Sequence, residues 1–427
     1  MSMGAAMILT MVVLLLLGFP MMIPLLAASL LAFFVYLPLG PEIIIQQMLA
    51  GIRPAALVAV PMFILAADII TRGRSANRLV DLVLKFVGHV RGGLGISTAA
   101  GCTLFGAVSG STQATVVAIG GPMRPRLLRA GYGDSFSLAL IVNASDIAML
   151  IPPSIAMIIY GVISGTSISE LFIAGLGPGL LILALFSIYC YVYAVRNGVP
   201  SEPRASWGER GRAVVDALWP LGFPVIVVGG IYGGIFSPTE AASVCVIYAI
   251  ILEMVIFRSI GFRDLLAIAK STGMITAIVF VLVGAGAAFS WVVSFAQIPQ
   301  AILGGLGLME AGPITVLIAI SIAFFVGCMF VDPIVVILVL TPIFAPIVSA
   351  QGIDPVLVGV IITLQVAIGS ATPPFGCDLF TAIAVFKRPY IEVIRGTPPF
   401  VAILLAVSVA IILFPQIALF LRDLAFR

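Results

Sequence analysis

Long apolar runs separated by short polar or basic stretches continue along the whole chain. About 20 apolar residues in a helix cross the hydrocarbon core of a bilayer, which is about 30 Å thick. The pattern therefore predicts an all-α polytopic membrane protein with about 11–12 spans, counting helices that are broken within the membrane. The predicted spans are 5–19, 21–37, 55–71, 93–120, 135–163, 171–195, 214–235, 240–257, 273–296, 313–345, 356–385 and 398–421.

Two of these runs carry a polar or glycine-rich stretch in their middle. Segment 93–120 contains Gly106–Thr112, and segment 313–345 contains Gly327–Pro333. Irregular backbone at membrane depth is tolerated only where protein or a water-filled cavity surrounds it. Both segments are therefore predicted to be re-entrant hairpins, each made of two half-length helices.

Two further runs contain a double proline, Pro152-Pro153 in one and Pro373-Pro374 in the other. Each proline removes a backbone donor and clashes with the preceding turn. We therefore expect these two helices to be broken inside the membrane.

The hairpins and the breaks belong to an internal repeat. A shift of 221 positions superimposes glycines and prolines without any gap between 106 and 178. Because these residue types restrict or permit special backbone conformations, the repeat is one of geometry more than of chemistry. The matching pairs are Gly106 and Gly327, Pro125 and Pro346, Gly131 and Gly352, Pro152-Pro153 and Pro373-Pro374, Gly175 and Gly396, and Pro178 and Pro399.

Charge indicates that the two copies are inverted. Arg124, Arg126 and Arg129 follow the first hairpin, whereas the equivalent stretch 344–351 has no charge. Short cytoplasmic loops are rich in Lys and Arg, so the hairpins are expected to open from opposite sides. Inverted repeats with paired broken helices place substrate and ion sites near the midplane. By the same rule, loops 72–91, 196–212, 258–270 and 387–395 are cytoplasmic and loops 164–170, 236–239 and 297–312 periplasmic, with Arg53, Arg422 and Arg427 as exceptions.

Composition agrees with the hydropathy pattern. The 427 residues are 62% hydrophobic and 9% charged, whereas soluble domains carry about 25% charged residues. The net charge of +3 is small, and no basic patch suggests nucleic acid. The five cysteines lie in apolar runs without paired spacing and are interpreted as small core residues. The first apolar run lacks a basic flank and a cleavage site, so it is expected to be retained.

The two hairpin tips carry the candidate binding chemistry. Ser109–Thr112 offers hydroxyls, carbonyls and free helix-end amides, which suit a hard cation or an anion. Its alternative interpretation is a close contact between helices. Asp332 is a carboxylate at membrane depth, which normally marks function, but it also fits as the cap of a helix that starts at Pro333.

The breaks are expected to complete these sites. Ser154 and the carbonyls near Leu150 and Ile151 face the first tip in this arrangement, while Gly369, Ala371 and Thr372 face the second. Ser154 alternatively satisfies backbone groups freed by the prolines. Asp146 either pairs internally or lines the path, Asp378 caps a helix or lines the cytoplasmic exit, and Asp68 has no assigned role. Glu240 has capping-box spacing to Ser237.

The same stretches resemble the large membrane subunit, DctM type, of TRAP transporters, the tripartite ATP-independent periplasmic transporters. Four motifs in the same order over nearly the full length carry the resemblance. They are Gly106–Thr115, Ile151–Ile155, Gly230–Ala242, and Asp332-Pro333 together with Thr372–Gly376.

The resemblance implies a sodium-driven importer with an elevator mechanism, and with sodium as coupling ion but no cofactor. It also implies two partners: a separate small membrane subunit of about four helices and a periplasmic substrate-binding protein. The expected substrates are dicarboxylates, sialic or other sugar acids, or zwitterions such as ectoine. By motif position, Ser109, Ser154 and Asp332 would bind substrate. Sodium would bind at Ser111, Thr112, Leu150, Gly327, Gly369, Thr372 and Pro373, with Gln113 departing from the usual motif.

The implied location is the bacterial inner membrane, embedded in lipid. Another ion-coupled carrier on the same inverted-repeat plan, proton-coupled or exporting, is the alternative function, with an intramembrane enzyme or an ion channel further away. No catalytic set and no phosphate-binding loop is present in the sequence. The expected division is 1–72 scaffold, 73–92 interfacial arm, 93–165 first transport half, 166–257 scaffold, 258–272 second arm, 273–312 connection, 313–386 second transport half and 387–427 C-terminal span.

Overall fold

The computed structural model describes residues 3–37, 40 and 42–426, and every regular element in these ranges is a helix. Five helices are long and apolar enough to cross a membrane, or seven if two bent pairs are counted as spans. Eight further apolar helices have 10–17 residues. Five of these eight belong to the hairpins and to the helices around the breaks, which divide a membrane crossing into two pieces. The predicted all-α polytopic architecture is confirmed.

The N-terminal region comprises five helices: α1 (Met3–Leu16), α2 (Met22–Tyr36), α3 (Glu42–Ile52), α4 (Ala55–Arg72) and α5 (Ser75–Val87). Helix α3 was not among the predicted spans. It is only 11 residues long and contains Glu42, Gln46 and Gln47, so it does not match a 20-residue apolar template. Helix α5 is the predicted amphipathic element, because Leu79 and Val80 are buried while Asp81 is exposed.

The first repeat contains α6 (Gly93–Ser109), α7 (Thr112–Arg129), α8 (Asp134–Ser145) and α9 (Ile155–Ser164). Helices α6 and α7 form the first hairpin, with only Gly110 and Ser111 between them. Gly110 has φ +60°, and a Cβ atom there would lie 2.1 Å from the carbonyl oxygen of Pro153. The tip therefore requires glycine, both for its backbone conformation and for its approach to the break between α8 and α9.

The middle of the chain contains α10 (Ile168–Arg196), α11 (Trp207–Leu218), α12 (Gly222–Tyr232), α13 (Pro238–Ile256), α14 (Phe262–Phe295) and α15 (Ile298–Gly305). The predicted span 214–235 is divided, because α11 and α12 meet at 48° and α11 packs against α5. Helix α14 continues through residue 272, where a boundary between arm and span was expected. The expected capping box of Ser237 and Glu240 starts α13.

The second repeat contains α16 (Pro313–Cys328), α17 (Pro333–Ala350), α18 (Pro355–Ser370) and α19 (Cys377–Phe386), and the chain ends with α20 (Tyr390–Ile394), α21 (Pro398–Leu413) and α22 (Gln416–Ala425). Helices α16 and α17 form the second hairpin, and α18 and α19 flank the second double proline. The predicted span 398–421 is bent by 60° between α21 and α22. Pro415 precedes α22 and cannot continue the backbone ladder of α21.

The repeat seen in the sequence is also present in backbone geometry. Gly131 and Gly352 both have positive φ, at 92° and 62°, and both double prolines have a cis peptide bond. Ser111 and Asp332, one repeat apart, are the N-caps of α7 and α17. The halves also interlock, since α17 and α18 pack against α9 and α19 packs against α7.

Each discontinuous helix is anchored by an ion cluster at its first turn. Asp134 at the start of α8 accepts from Arg124 at 2.8 and 2.7 Å and from Arg388 at 2.9 Å. Asp354, the N-cap of α18, accepts from Arg422 at 2.6 Å. The two clusters occupy equivalent places in the repeats, at the ends of the helices that lie away from the breaks.

Candidate functional site

The first tip and the first break form one continuous contact. Ser109 ends α6, is buried, and has its hydroxyl 3.2 Å from that of Thr115. The amide of Ile155, the first residue of α9, lies 3.5 Å from the carbonyl oxygen of Gly110. The expected facing of these two elements is therefore present.

The serines at this contact act as helix caps. Ser111 accepts from the amide of Ala114 at 3.4 Å, and the buried Ser154 accepts from that of Met157 at 3.3 Å. The alternative interpretation of Ser154, that it satisfies backbone groups freed by the prolines, thus has a direct geometric basis. Each hydroxyl still has a proton to donate and a second lone pair, so capping and ligand binding are compatible. Leu150 lies in the buried turn between α8 and Ser154.

The second tip carries Asp332. Its carboxylate caps α17 by accepting from the amide of Ile334 at 2.9 Å. The side chain of Asp332 is exposed. Asp332 is therefore both the predicted cap and a carboxylate that a ligand can reach.

The second tip and the second break also meet. The amide of Phe375 donates to the carbonyl of Met329 at 3.1 Å. A Cβ atom on Gly369 would lie 2.6 Å from the Cβ atom of Cys328, which follows Gly327 at the end of α16. Thr372 donates to the carbonyl of Ile368 at 2.6 Å, which leaves its oxygen lone pairs free, and Pro373 follows it in the break.

Asp378 connects the two repeats, a contact that the sequence did not predict. Its two oxygens accept from Thr112 at 2.7 Å and from Ser370 at 2.6 Å. One residue belongs to the first tip and the other to the end of α18, so a single buried carboxylate bridges both halves. No local pattern predicts the link between the repeats, because Thr112 and Asp378 are 266 positions apart.

Three further acidic residues differ in whether their carboxylates have hydrogen-bond partners. Asp68 accepts from Thr272 at 2.9 Å and so joins α4 to α14, away from the tips. Glu253 was also missed; it is buried in α13 and accepts from the amides of Arg74 and Ser75 and from the hydroxyls of Ser75 and Ser259. Both have structural partners. Asp146 is different, because neither of its buried oxygens has a partner among the described residues.

The oxygens of the tips and breaks can hold small polar ligands. The described residues contain no cluster of His, Cys, Asp and Glu suited to a tightly bound metal. What the tips and breaks offer is hydroxyl, carbonyl and carboxylate oxygen where the two repeats meet.

Comparisons with known proteins agree with this arrangement. The pattern that defines the family "Tripartite ATP-independent periplasmic transporter, DctM component" matches residues 8–417. The chain is 73% identical over 99% of its length to the whole ectoine/5-hydroxyectoine TRAP transporter large permease protein of Ruegeria pomeroyi. It is 71% identical over its full length to the whole ectoine TRAP transporter large permease protein of Halomonas elongata.

More distant relatives share the family and differ in named substrate. The C4-dicarboxylate TRAP transporter large permease protein of Pseudomonas aeruginosa is 36% identical, with 86% of each chain covered. Among solved structures, the YdaH transporter of Alcanivorax borkumensis aligns with a TM-score of 0.63 at 14% identity, covering 96% of this chain and 98% of that one, which supports the fold. The chain belongs to the DctM family: it is a large permease subunit of a TRAP transporter and a multi-pass protein of the inner membrane.

Proposed function

We propose that this subunit imports ectoine or 5-hydroxyectoine, driven by sodium and by an elevator movement. The observation that carries the substrate is identity above 70% over the whole chain to two permeases named for ectoine. The relative named for dicarboxylates reaches 36%. A compatible solute of this kind also lies within the substrate classes that the resemblance implied.

The chemistry of the tips supports a zwitterionic substrate. Ectoine carries a carboxylate and a delocalised amidinium cation. In this proposal Asp332 pairs with the cation, while Ser109 and Ser154 donate to the carboxylate. The N-terminal ends of α7 and α9, which Ser111 and Ser154 cap, add positive potential for that carboxylate.

Sodium has suitable oxygens at each tip and its facing break. The first set combines Ser111, Thr112 and the carbonyl of Leu150, and the second combines Thr372 with backbone oxygens near Gly327, Gly369 and Pro373. Hard cations bind such hydroxyl and carbonyl oxygens. Thr112 would take part with its lone pairs only, because its proton goes to Asp378.

The elevator movement would carry the two hairpins and the two broken helices as one body. The cross-links through Asp378 and the packing of α17 and α18 on α9 support this rigid unit. The other helices would form the scaffold with a separate small membrane subunit. A periplasmic binding protein would deliver the substrate.

The test is uptake of labelled ectoine by proteoliposomes that contain this chain and its small subunit, with the cognate binding protein outside. We expect uptake to require an inward sodium gradient and the binding protein. We also expect that excess succinate does not reduce the uptake of ectoine. Sodium-independent uptake driven by a proton gradient, or net export, would overturn the proposal in favour of another ion-coupled carrier. Succinate uptake in place of ectoine would overturn the substrate alone.

A further inference from the structure

Asn143 and Asp146 carry three buried oxygens without any hydrogen-bond partner among the described residues. They are Oδ1 of Asn143 and both carboxylate oxygens of Asp146. The two side chains are 0% and 1% exposed. Three residues apart at the end of α8, they lie on the same helix face. The amide nitrogen of Asn143 donates to the carbonyl of Ala139 at 2.8 Å, which holds the side chain in place.

Burying these three oxygens without a donor or a cation near them costs free energy. The three oxygens are all acceptors, and among the described residues none of them receives a hydrogen bond, from the neighbouring side chain or from any other group. The charged group within electrostatic reach of Asp146 is another carboxylate, Asp378, whose own oxygens are already engaged by two hydroxyls. An unpaired ionised carboxylate in a dry interior costs several kcal/mol.

The pair lies beside the first hairpin, close to the helix turn that precedes the first tip. The turn that starts at Asp146 packs against α6 and α7 of the first hairpin and against α18 of the second half. A Cβ atom on Gly106 would lie 2.6 Å from the Cα atom of Ala148, so the hairpin approaches this turn closely. A ligand here would contact the first hairpin and the second repeat together.

We propose that Asn143 and Asp146 form an additional site for a monovalent cation, namely sodium, distinct from the two sites at the tips. A cation coordinates all three oxygens, whereas a proton on Asp146 would donate to only one acceptor and leave another unsatisfied. The donor set is all oxygen, which suits a hard cation and not a soft metal. This inference rests on the proposed sodium-driven function and concerns how many ions accompany each substrate.

The first experiment measures the ratio of sodium to ectoine transported. Proteoliposomes with the complete membrane complex and binding protein would take up radioactive sodium and labelled ectoine together. Asp146→Asn keeps the size of the side chain and removes its charge, and we expect the ratio to fall by one sodium per ectoine. Asp68→Asn is the control, because that partly buried carboxylate joins α4 to α14, away from the tips, and has Thr272 as partner; it should keep the wild-type ratio.

The second experiment covers a variant that folds but does not transport. Thermal unfolding of the purified complex is followed as sodium chloride replaces choline chloride. Sodium should raise the melting temperature of Asp146→Asn less than that of wild type. In transport, Asn143→Ala should raise the sodium concentration for half-maximal uptake by about tenfold, as lost coordination support commonly does.

The outcomes separate this site from the proposed function. Wild-type uptake without sodium dependence would defeat the proposed function itself. The additional site alone would be excluded by a different result. In that case wild-type uptake depends on sodium, but Asp146→Asn keeps the wild-type sodium-to-ectoine ratio and the wild-type stabilisation by sodium. A change confined to proton movement, with unaltered sodium, would also contradict the cation assignment.

Discussion

At the scale of single residues, the two hairpin tips share a backbone position and differ in charge. Ser111 and Asp332 are each the N-cap of the second helix of their hairpin. A hydroxyl and a carboxylate cap a helix about equally well. The shared geometry therefore leaves the chemistry of each tip free to differ, and of the two caps only Asp332 carries a charge.

Replacing Asp332 with Asn tests the charge without removing the cap, since Asn is as good an N-cap as Asp. We expect ectoine uptake to fall at least tenfold, because a hydrogen bond to a charged group contributes about 1.5–3 kcal/mol. The melting temperature should stay near that of wild type. Asp264→Asn, at the exposed start of α14, is the control and should transport normally. Normal uptake by Asp332→Asn would remove this carboxylate from the site.

The bridge at Asp378 predicts an energetic coupling between the repeats. Thr112→Val and Ser370→Ala each remove one donor to the buried carboxylate, and each should destabilise the complex by about 1–3 kcal/mol. Because both act on one group, their effects should not add in the double variant. Denaturant unfolding of the purified complex measures this. Additive effects would mean that the two bonds act independently.

At the scale of elements, the first hairpin depends on the absence of a side chain at its tip. Gly110→Ala puts a Cβ atom against the carbonyl oxygen of Pro153 and into an unfavourable positive φ. We expect loss of uptake and a melting temperature lowered by several degrees. Gly121→Ala, in α7 with open space around it, is the matched control. It should be neutral or slightly stabilising, because alanine favours helix.

The ion cluster at the start of α8 makes a pH-dependent contribution to stability. Asp134 lies outside the spans, and the guanidinium groups of Arg124 and Arg388 lower the pKa of its carboxyl below 3.8. A lowered pKa means that the stabilisation is complete above the unfolded value and is lost as pH falls through the folded value. The difference in melting temperature between wild type and Asp134→Asn should thus be constant from about pH 8 to 5 and shrink below about pH 4. A gap that is as large at pH 3 as at pH 5 would contradict the ion-pair account.

At the scale of the whole molecule, the features that could be predicted from the sequence are those that glycine and proline determine. The two hairpins, the two breaks and the repeat all depend on residues whose own backbone restrictions decide the conformation. The bridge at Asp378 and the contacts of Glu253 were not predictable, because they join residues far apart in the chain. The short helix α3 and the unbroken α14 were missed for another reason: one is too polar for a span, and the other has no proline to end it.

The inverted arrangement predicts opposite accessibility for equivalent positions. Arg129 and Ala350 are one repeat apart, both exposed at the end of their hairpins. In intact spheroplasts, a membrane-impermeant maleimide should modify Ala350→Cys at once and Arg129→Cys only after permeabilisation. Four of the native cysteines are buried and Cys377 is partly so, which keeps background low. Labelling of both positions from the same side would exclude an inverted repeat.

The different side chains that cap the two tips have a consequence for the direction of transport. Two inverted copies with identical tips would present the same side chains to both faces of the membrane. Ligand binding at such tips would not distinguish the cytoplasmic from the periplasmic side. The tips Ser109–Thr112 and Phe330–Pro333 differ at every position, and their caps, Ser111 and Asp332, place a hydroxyl in one and a carboxylate in the other. Side-chain differences between two repeats of one backbone geometry therefore give the two tips different chemistry without a change of fold.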